Sequence, residues 1–388
     1  METPVSLAWS QLDRERRRFA VAVLGVMFAV LLMLMQLGFR DSLYASTVLL
    51  HRRLNADLVL ISTESSFLGT LQAFSRQRLY QARGTPGVAS TTPVYVDVTY
   101  PVGWRNPYTG VTRAIYVIGF DLQGERPFDM PEVDAGLARL NAPDVVLFDA
   151  LSRKEYGPIA EDFERGTPVV TEVSERTIAV VGLFHLGTSF AVDGTLIASE
   201  ANFFRLFPGR EQDETDLGLV RVRPGADVEG VRRALREKLP PDVLVLTKQG
   251  FVDKEIDYWA GSTPIGFVFT FGSIMGFVVG SVIVYQILFA DVSDHLPEFA
   301  TLKAMGFTDG YLRRVVLSES VILAALGYLP GLVGSWQLYR LTARATRLPM
   351  QLDPSVALLV FALTVLMCTA SGLMALRRLR AADPAEMF

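Results

Sequence analysis

Four long apolar stretches dominate the hydrophobic pattern of the chain. Their only charged residues are Arg40 and Glu319, and polar sequence bounds each of them. A membrane-spanning helix needs about 20 consecutive apolar residues. The pattern therefore predicts four transmembrane helices, at residues 19–40, 264–290, 315–339 and 355–376.

The residues between the first two stretches alternate over much shorter distances. Runs rich in β-branched and aromatic residues, separated by turn residues, are typical of strands. Strands are predicted at Leu58–Ser62, Val94–Tyr100, Ala114–Phe120, Val145–Phe148, Pro168–Val173, Thr177–Phe184, Thr195–Ala198, Leu217–Val222 and Val243–Leu246. Helices are predicted at Leu71–Arg83 and through Val228, Val231, Leu235 and Leu239, which share one helical face. Residues 128–143 are interpreted as irregular or weakly helical.

Together these patterns predict an α-helical membrane protein with four transmembrane helices and a mixed α+β domain. The domain covers residues 58–247 and is inserted between the first and second transmembrane helices. Helical stalks at residues 41–57 and 248–263 connect it to them.

Positive charges predict the orientation in the membrane, because Lys and Arg favour the cytoplasmic side. Arginines precede the first span and follow the last, at Arg14, Arg16, Arg17, Arg18, Arg377, Arg378 and Arg380. We therefore expect residues 1–18, the loop 291–314 and the tail 377–388 in the cytoplasm, and the 58–247 domain in the periplasm. The short loop 340–354 then lies outside, where Arg340, Arg344 and Arg347 violate the rule but are outweighed.

A cleaved signal peptide is the alternative interpretation of residues 19–39. Such a peptide has a shorter apolar core and ends at a small-residue cleavage site. This stretch instead ends in Leu37-Gly-Phe-Arg40 and continues with a helical pattern. We therefore expect an uncleaved anchor.

Composition and charge narrow the functional class. Half of the 388 residues are hydrophobic, and the net charge is −4. Residues 41–260 contain 23 Lys and Arg against 30 Asp and Glu, a net charge of −7, which leaves +3 for the rest. An acidic domain on a basic membrane frame does not fit nucleic-acid binding, which needs a basic face. Cys368 is the only cysteine, so no disulfide can form within the chain.

The sequence contains no motif for catalysis. It has neither a G-x-x-x-x-G-K-[ST] phosphate loop nor an H-E-x-x-H zinc motif. Its histidines, His51, His185 and His295, are spread along the chain. We expect a non-catalytic chain that binds no metal or cofactor of its own.

Two features of the predicted spans are candidate functional positions. Gly272, Gly276 and Gly280 follow a spacing that lets two helices approach closely, either in a dimer or between spans of one chain. Glycine is also common in membrane helices, so the spacing has a structural explanation as well. Glu319 is the only carboxylate within a span, and such residues are often functional, although a structural contact with headgroups or a neighbouring helix is the alternative.

The segment Asp291–Gly306 between the second and third spans has the pattern of a short amphipathic helix. Pro297 suits a first turn and Gly306 suits the residue that ends a helix. Phe299, Leu302 and Met305 form an apolar stripe, with Glu298 and Lys303 elsewhere on the surface. A helix held between two spans at the membrane surface would transmit force from a docked partner to both.

The run Glu298-Phe-Ala-Thr-Leu-Lys-Ala-Met-Gly306 resembles the signature E-I-x-x-L-K/R-A-x-G of FtsX-type permeases, the MacB-like and LolC-like membrane subunits of ABC transporters. Asp383-Pro-Ala-Glu386 is similar to the usual D/N-P-A-E ending of that family. Several passages of the inserted domain are most similar to the DevC group: Tyr156-Gly157, Val181–Phe184, Gly187–Phe190, Asp193-Gly194 and Asn202–Arg205.

The resemblance implies a function and its partners. The 297–306 segment would be the coupling helix gripped by a separate ABC ATPase, which uses ATP and Mg, and the permease would be a homodimer in the inner membrane. Mechanotransmission would then move the periplasmic domain. The DevC group adds a periplasmic adaptor of the membrane-fusion type, a TolC-like outer-membrane channel, and lipid, glycolipid or another hydrophobic cargo. Two alternatives remain: an FtsX-like signal transducer that controls a periplasmic cell-wall hydrolase, and a lipoprotein-release permease.

Overall fold

The structure is a computed structural model that describes residues 16–98, 103–294, 309–346 and 348–381. These residues belong to two units. The helical unit contains Met1–Ser42, Pro264–Thr346 and Met350–Phe388, and the sheet unit contains Leu43–Thr263 and Arg347–Pro349.

The α-helices of the described residues are α1 (Arg16–Thr47), α2 (Leu49–Arg53), α3 (Gln77–Arg83), α4 (Pro131–Leu140), α5 (Ile159–Glu164), α6 (Glu200–Leu206), α7 (Val228–Lys238), α8 (Lys248–Gly261), α9 (Pro264–Asp294), α10 (Asp309–Thr346) and α11 (Pro354–Ala381). Short 3₁₀ turns lie at Leu68–Thr70 and Lys154–Tyr156. The strands are β1 (Leu58–Ser62), β2 (Phe74–Ser75), β3 (Val88–Val98), β4 (Trp104–Arg105), β5 (Thr112–Arg113), β6 (Tyr116–Phe120), β7 (Val145–Asp149), β8 (Val170–Val173), β9 (Arg176–Phe184), β10 (Thr195–Ser199), β11 (Glu214–Thr215), β12 (Leu217–Val222) and β13 (Val243–Thr247).

Four helices of the described residues are long and apolar enough to cross a membrane, which confirms the four predicted apolar helices. They lie in α1, α9, α10 and α11, over Phe19–Thr47, Pro264–Asp294, Arg313–Thr346 and Pro354–Arg377. Their shared interior is built from aliphatic side chains, such as Val26, Val30 and Leu34 of α1 against Val284 of α9 and Leu323 of α10.

The third span continues further than its apolar pattern predicts. Residues 340–346, expected to begin an outer loop, form the last turns of α10, which ends at Thr346. The prediction ended the helix where the apolar residues end. The following residues alternate between apolar and polar types and contain no Gly or Pro before Pro349, so the helix continues past the end of the apolar run.

The sheet unit is built on a mixed sheet. Within the described residues its strand order is β13-β1-β12-β3-β6-β10-β7-β9-β8-β4-β5. The pairs β6–β10 and β7–β9 are parallel, and the other neighbours are antiparallel. α7 packs its buried Val231 and Leu235 in one core with Leu58 and Leu60 of β1. This mixed α+β unit lies between α1 and α9 in the chain, as predicted.

Three predicted elements differ from the structure, two of them because a strand pairs with a segment far away in the chain. The predicted helix at residues 71–83 begins only at Gln77, since Phe74–Ser75 pairs with Glu214–Thr215 as β2 and β11. β3 begins at Val88 rather than at Val94, because its first half pairs with β12. The 128–143 segment contains a regular helix, α4, which begins with Pro131 in its first turn.

Candidate functional site

The predicted coupling segment lies largely outside the described residues. α9 ends at Asp294, and the described chain resumes at Asp309. The residues Pro297, Glu298, Phe299, Leu302, Lys303, Met305 and Gly306 all fall between them, as does His295. Their proposed role stays a prediction from sequence.

The three glycines of α9 lie against α1 of the same chain. A Cβ atom added at Gly280 would lie 2.5 Å from Ala29 Cβ, and one at Gly272 would lie 2.7 Å from Gln36 Cδ. At Gly276 the corresponding distance, to Leu32 Cβ, is 3.4 Å. This geometry corresponds to a close contact between two spans of one chain. The dimer alternative stays a prediction.

α10 makes a second glycine contact with α1, which the sequence analysis did not single out. Gly327 and Gly331 lie on either side of Pro330, and added Cβ atoms would lie 2.5 Å from Val26 Cβ and 2.8 Å from Val30 Cγ1. The spacing of four residues between these glycines was the signal available in the sequence. α1 is therefore packed closely against both α9 and α10.

Glu319 is buried within the helical unit, with 1% of its surface exposed. The hydroxyl of the adjacent Ser320, which is also buried, donates to the carbonyl of Val316 at 2.8 Å. A carboxylate in this position is enclosed by protein rather than facing lipid. Burial therefore favours a contact with neighbouring helices over one with headgroups.

The sheet unit contains a buried polar cluster at the two points where the chain enters and leaves it. α2 follows α1 after one residue, and α8 precedes α9 by two. His51 of α2 lies against Phe251 of α8, with 4.2 Å between ring centroids. The Nε2 atom of His51 is 3.5 Å from Oε2 of Glu255, and both side chains are almost fully buried.

The carboxylate of Glu255 also accepts hydrogen bonds from the turn that contains Leu68 and from its own helix, α8. Its Oε2 accepts from the backbone N–H of Leu68 at 2.8 Å, and its Oε1 accepts from Nε1 of Trp259 at 3.0 Å. A buried carboxylate needs such donors, because burial removes its hydration. We call His51, Leu68, Phe251, Glu255 and Trp259 the junction cluster.

Aromatic side chains extend the junction cluster toward the surface. Phe67 stacks on Tyr258 at 4.3 Å between centroids and meets Trp259 edge-on at 5.5 Å. Phe190, which is half exposed, contacts Trp259 edge-on at 5.9 Å. Such pairs add to the apolar burial of the helix.

The loop that carries Phe190 is anchored by Asp149, a buried residue at the end of β7. Oδ1 accepts from the N–H groups of Leu151 and Leu186 at 3.0 and 3.1 Å, and Oδ2 accepts from Gly187 at 2.9 Å. Burial raises the pKa of Asp149, and these three N–H donors oppose that rise. Nearby, Asp193 pairs with both Arg153 and Arg113, at 2.6 and 3.0 Å.

The chemistry of the junction cluster suits mechanical connection. The Glu255 oxygens are occupied by donors from the protein itself. The adjacent cavity, lined in part by Leu49, Tyr116 and Ser189, has a volume of about 30 Å³, which is room for about one water. Among the described residues, no three His, Cys, Asp or Glu side chains are placed to hold a metal ion.

Sequence analysis did not find the junction cluster. It predicted both stalk helices but left His51 and Glu255 without a role. One local signal exists, since Glu255 and Trp259 are four residues apart and therefore share a helix face. The contact with Leu68, 187 residues away in the chain, has no local signal.

Two domain families match the sequence. The MacB-like periplasmic core domain matches residues 19–238, and the FtsX-like permease C-terminal domain matches residues 270–384. No curated protein sequence matches the chain.

Two solved structures are similar to part of the chain. The periplasmic region of MacB from Actinobacillus actinomycetemcomitans is 12% identical with a TM-score of 0.35, over 51% of this chain and 92% of its own. The extracellular domain of the noncanonic ABC-type transporter YknZ from Gram-positive bacteria is 11% identical with a TM-score of 0.32, over 50% of this chain and 99% of its own.

Proposed function

The chain belongs to the family of FtsX-like permeases with a MacB-like periplasmic core domain, and from this premise we propose that it couples ATP hydrolysis by a separate chain to movement of its sheet unit. The family makes it a transmembrane subunit of an ABC-type transporter and implies an ABC ATPase as its partner. The proposed direction of transport is export. The termini and the coupling segment would face the cytoplasm.

The junction cluster is the observation that carries this proposal. A displacement of α1 relative to α9 reaches the sheet unit through α2 and α8, the two helices that His51 and Glu255 join. The buried carboxylate of Glu255 accepts hydrogen bonds from both Leu68 and Trp259, and these bonds hold the loop and the helix in one geometry. In this proposal, α2 and α8 therefore transmit the displacement to the same region of the sheet unit.

The interior of the helical unit supports movement rather than conduction. Its described core is aliphatic, with Glu319 and a few Ser and Thr hydroxyls as the buried polar side chains. Water-filled pathways through membranes are lined by polar groups. We therefore place the cargo outside the helical unit, on the side of the sheet unit.

The assembly we propose is a homodimer of this chain in the inner membrane with two ATPase chains. Similarity to the DevC group extends it to a periplasmic adaptor and a TolC-like outer-membrane channel, with a lipid, glycolipid or other hydrophobic cargo. The hydrolase-controlling transducer and the lipoprotein-release permease would use the same helical unit with other periplasmic partners.

Purification of the tagged full chain from its native membrane in a mild detergent tests this assembly, with mass analysis of the proteins that accompany it. We expect an ABC ATPase together with a periplasmic adaptor. A cell-wall hydrolase in place of the adaptor would support the transducer instead. A dimer that survives without any ATPase would contradict the proposed coupling.

A substitution in the coupling segment tests the same proposal inside that complex. Phe299→Asp places a charge in the apolar stripe that would face the ATPase, so we expect loss of the ATP hydrolysis that the membrane subunit stimulates. Ala300→Asp is the matched control, because Ala300 would lie on the side of the predicted helix opposite the stripe. Normal stimulated hydrolysis by the Phe299→Asp complex, with normal insertion, would show that this segment is not the lever.

A further inference from the structure

The C-terminal end of α10 carries two arginines that the coupling function does not explain. Arg340 and Arg344 are both exposed, and no acidic side chain among the described residues forms an ion pair with either. On the predicted topology they also stand on the side of the membrane where positive charge is disfavoured. A helix C-terminus favours one cation in its last turn, which accounts for Arg344 but not for Arg340.

Arg340 is held in place by an aromatic ring. Its guanidinium carbon lies 4.8 Å from the centroid of Trp336, one turn earlier in α10. A guanidinium over an indole face is attracted by the ring and keeps its N–H donors free at the edge. Arg344 follows one turn later, so the two cations stand one above the other along the helix.

Both arginines continue an exposed apolar stripe of the same helix. Leu329, Val333 and Trp336 are 58%, 54% and 46% exposed. At about 100° per residue, these three positions together with Arg340 and Arg344 fall within about 80° of the helix circumference. From Val333 to Arg344 the helix rises about 16 Å. The surface therefore changes from aliphatic to aromatic to cationic over about half the thickness of a bilayer.

We propose that this face of α10 binds an anionic phospholipid. An acyl chain lies along Leu329 and Val333, the Trp336 ring lies at headgroup depth, and the phosphate accepts hydrogen bonds from Arg340 and Arg344. Trp is the residue that favours the membrane interface, and paired arginine donors match the geometry of a phosphate. The proposal requires that α10 crosses the membrane, and it does not depend on the exporter function.

Lipid retention by the purified full chain tests this site. The chain is exchanged into detergent with equal amounts of dioleoyl phosphatidylglycerol and dioleoyl phosphatidylcholine, and the bound lipid is counted by native mass spectrometry. We expect the wild type to retain phosphatidylglycerol preferentially. Each arginine contributes about fivefold to that preference, so Arg340→Gln with Arg344→Gln should remove about 25-fold.

The control is a double variant that removes the same number of positive charges from another part of the chain. Arg83→Gln with Arg233→Gln removes two exposed arginines of the sheet unit and should leave the preference unchanged. Equal loss in both double variants would show a general charge effect and overturn the proposal, as would an unchanged preference in the α10 variant. If that variant does not stay monodisperse, Arg340→Gln alone decides.

Two further measurements test whether the bound anion is a lipid and whether that lipid lies beside Trp336. Inorganic phosphate at millimolar excess should not displace the bound phosphatidylglycerol, and displacement would assign the site to a soluble anion. Quenching of tryptophan fluorescence should be stronger with brominated phosphatidylglycerol than with brominated phosphatidylcholine. Trp336→Phe should abolish that difference, and a difference that persists would refute the assigned position of the lipid.

Discussion

Glu255→Ala removes the carboxylate at the centre of the junction cluster. Two donors lose their acceptor, the N–H of Leu68 at 2.8 Å and the Nε1–H of Trp259 at 3.0 Å. The imidazole of His51 also loses the group it faces at 3.5 Å. Because this site is buried, the two freed donors have no route to bulk water without local opening.

The expected loss follows from those two donors. A buried donor left without an acceptor costs about 1–3 kcal/mol, so the pair costs about 2–6 kcal/mol. For a unit of this size, 1 kcal/mol lowers the melting temperature by about 2–4 °C. We expect the sheet unit to melt about 4–24 °C lower, toward the small end if a water fills the space.

Thermal unfolding of the full chain in detergent, followed by near-ultraviolet circular dichroism, measures this change. Asp257→Ala is the matched control, because Asp257 is an exposed acid on the same helix, α8, and should shift the free energy by less than about 0.5 kcal/mol. Glu255→Gln keeps one acceptor oxygen and should lie between the two. A melting temperature of Glu255→Ala within about 2 °C of the Asp257→Ala control would refute the structural role of Glu255.

Two further predictions test packing and ionisation. Gly280→Ala should destabilise the helical unit by about 1–3 kcal/mol in detergent unfolding, because the new Cβ would lie 2.5 Å from Ala29 Cβ. Gly334→Ala is the control and should change the stability little, because its new Cβ would lie 3.6 Å from the nearest neighbouring atom. Equal effects of the two substitutions would contradict the packing. The hydrogen bond from Arg205 holds the pKa of Asp144 below its usual range, so this carboxylate stabilises the fold above its unfolded pKa of about 3.9 and loses that effect as pH falls through the lower folded value. The melting temperature of Asp144→Asn should therefore fall below wild type between about pH 5 and 7 and converge with it in acid, and a constant difference would count against the pair; Asn tolerates the φ of 58° found there.

The strands show where local pattern was sufficient. β1 was predicted with the bounds that the structure has, Leu58–Ser62, because its four consecutive apolar residues with polar flanks favour a buried strand. β9 was predicted as Thr177–Phe184, one residue shorter than in the structure. This prediction succeeded because the alternating burial of the strand follows the period-two pattern of the sequence. In both cases the strand's own residues carry the information.

β2 shows where local pattern failed. Phe74 and Ser75 are strand only because Thr215 and Glu214, far away in the chain, lie beside them. The surrounding residues, taken alone, favour the helix that starts at Gln77. Strand propensity depends on the neighbour across the ladder, and the neighbour is set by the tertiary fold.

Local sequence was enough to predict the four long apolar helices, the position of the inserted α+β unit and the motifs that mark the permease family. These depend on the length and period of apolar runs, which bilayer thickness and backbone geometry convert directly into helices and strands. Tertiary assembly was needed to show that α9 and α10 pack by their glycines on α1 and that His51 meets Glu255. Both are contacts between residues far apart in the chain, so no local run of residues encodes them. Arg340 and Trp336 are four residues apart on one helix, so their contact has a local signal, whereas the lack of an acidic partner for Arg340 among the described residues depends on how the elements assemble.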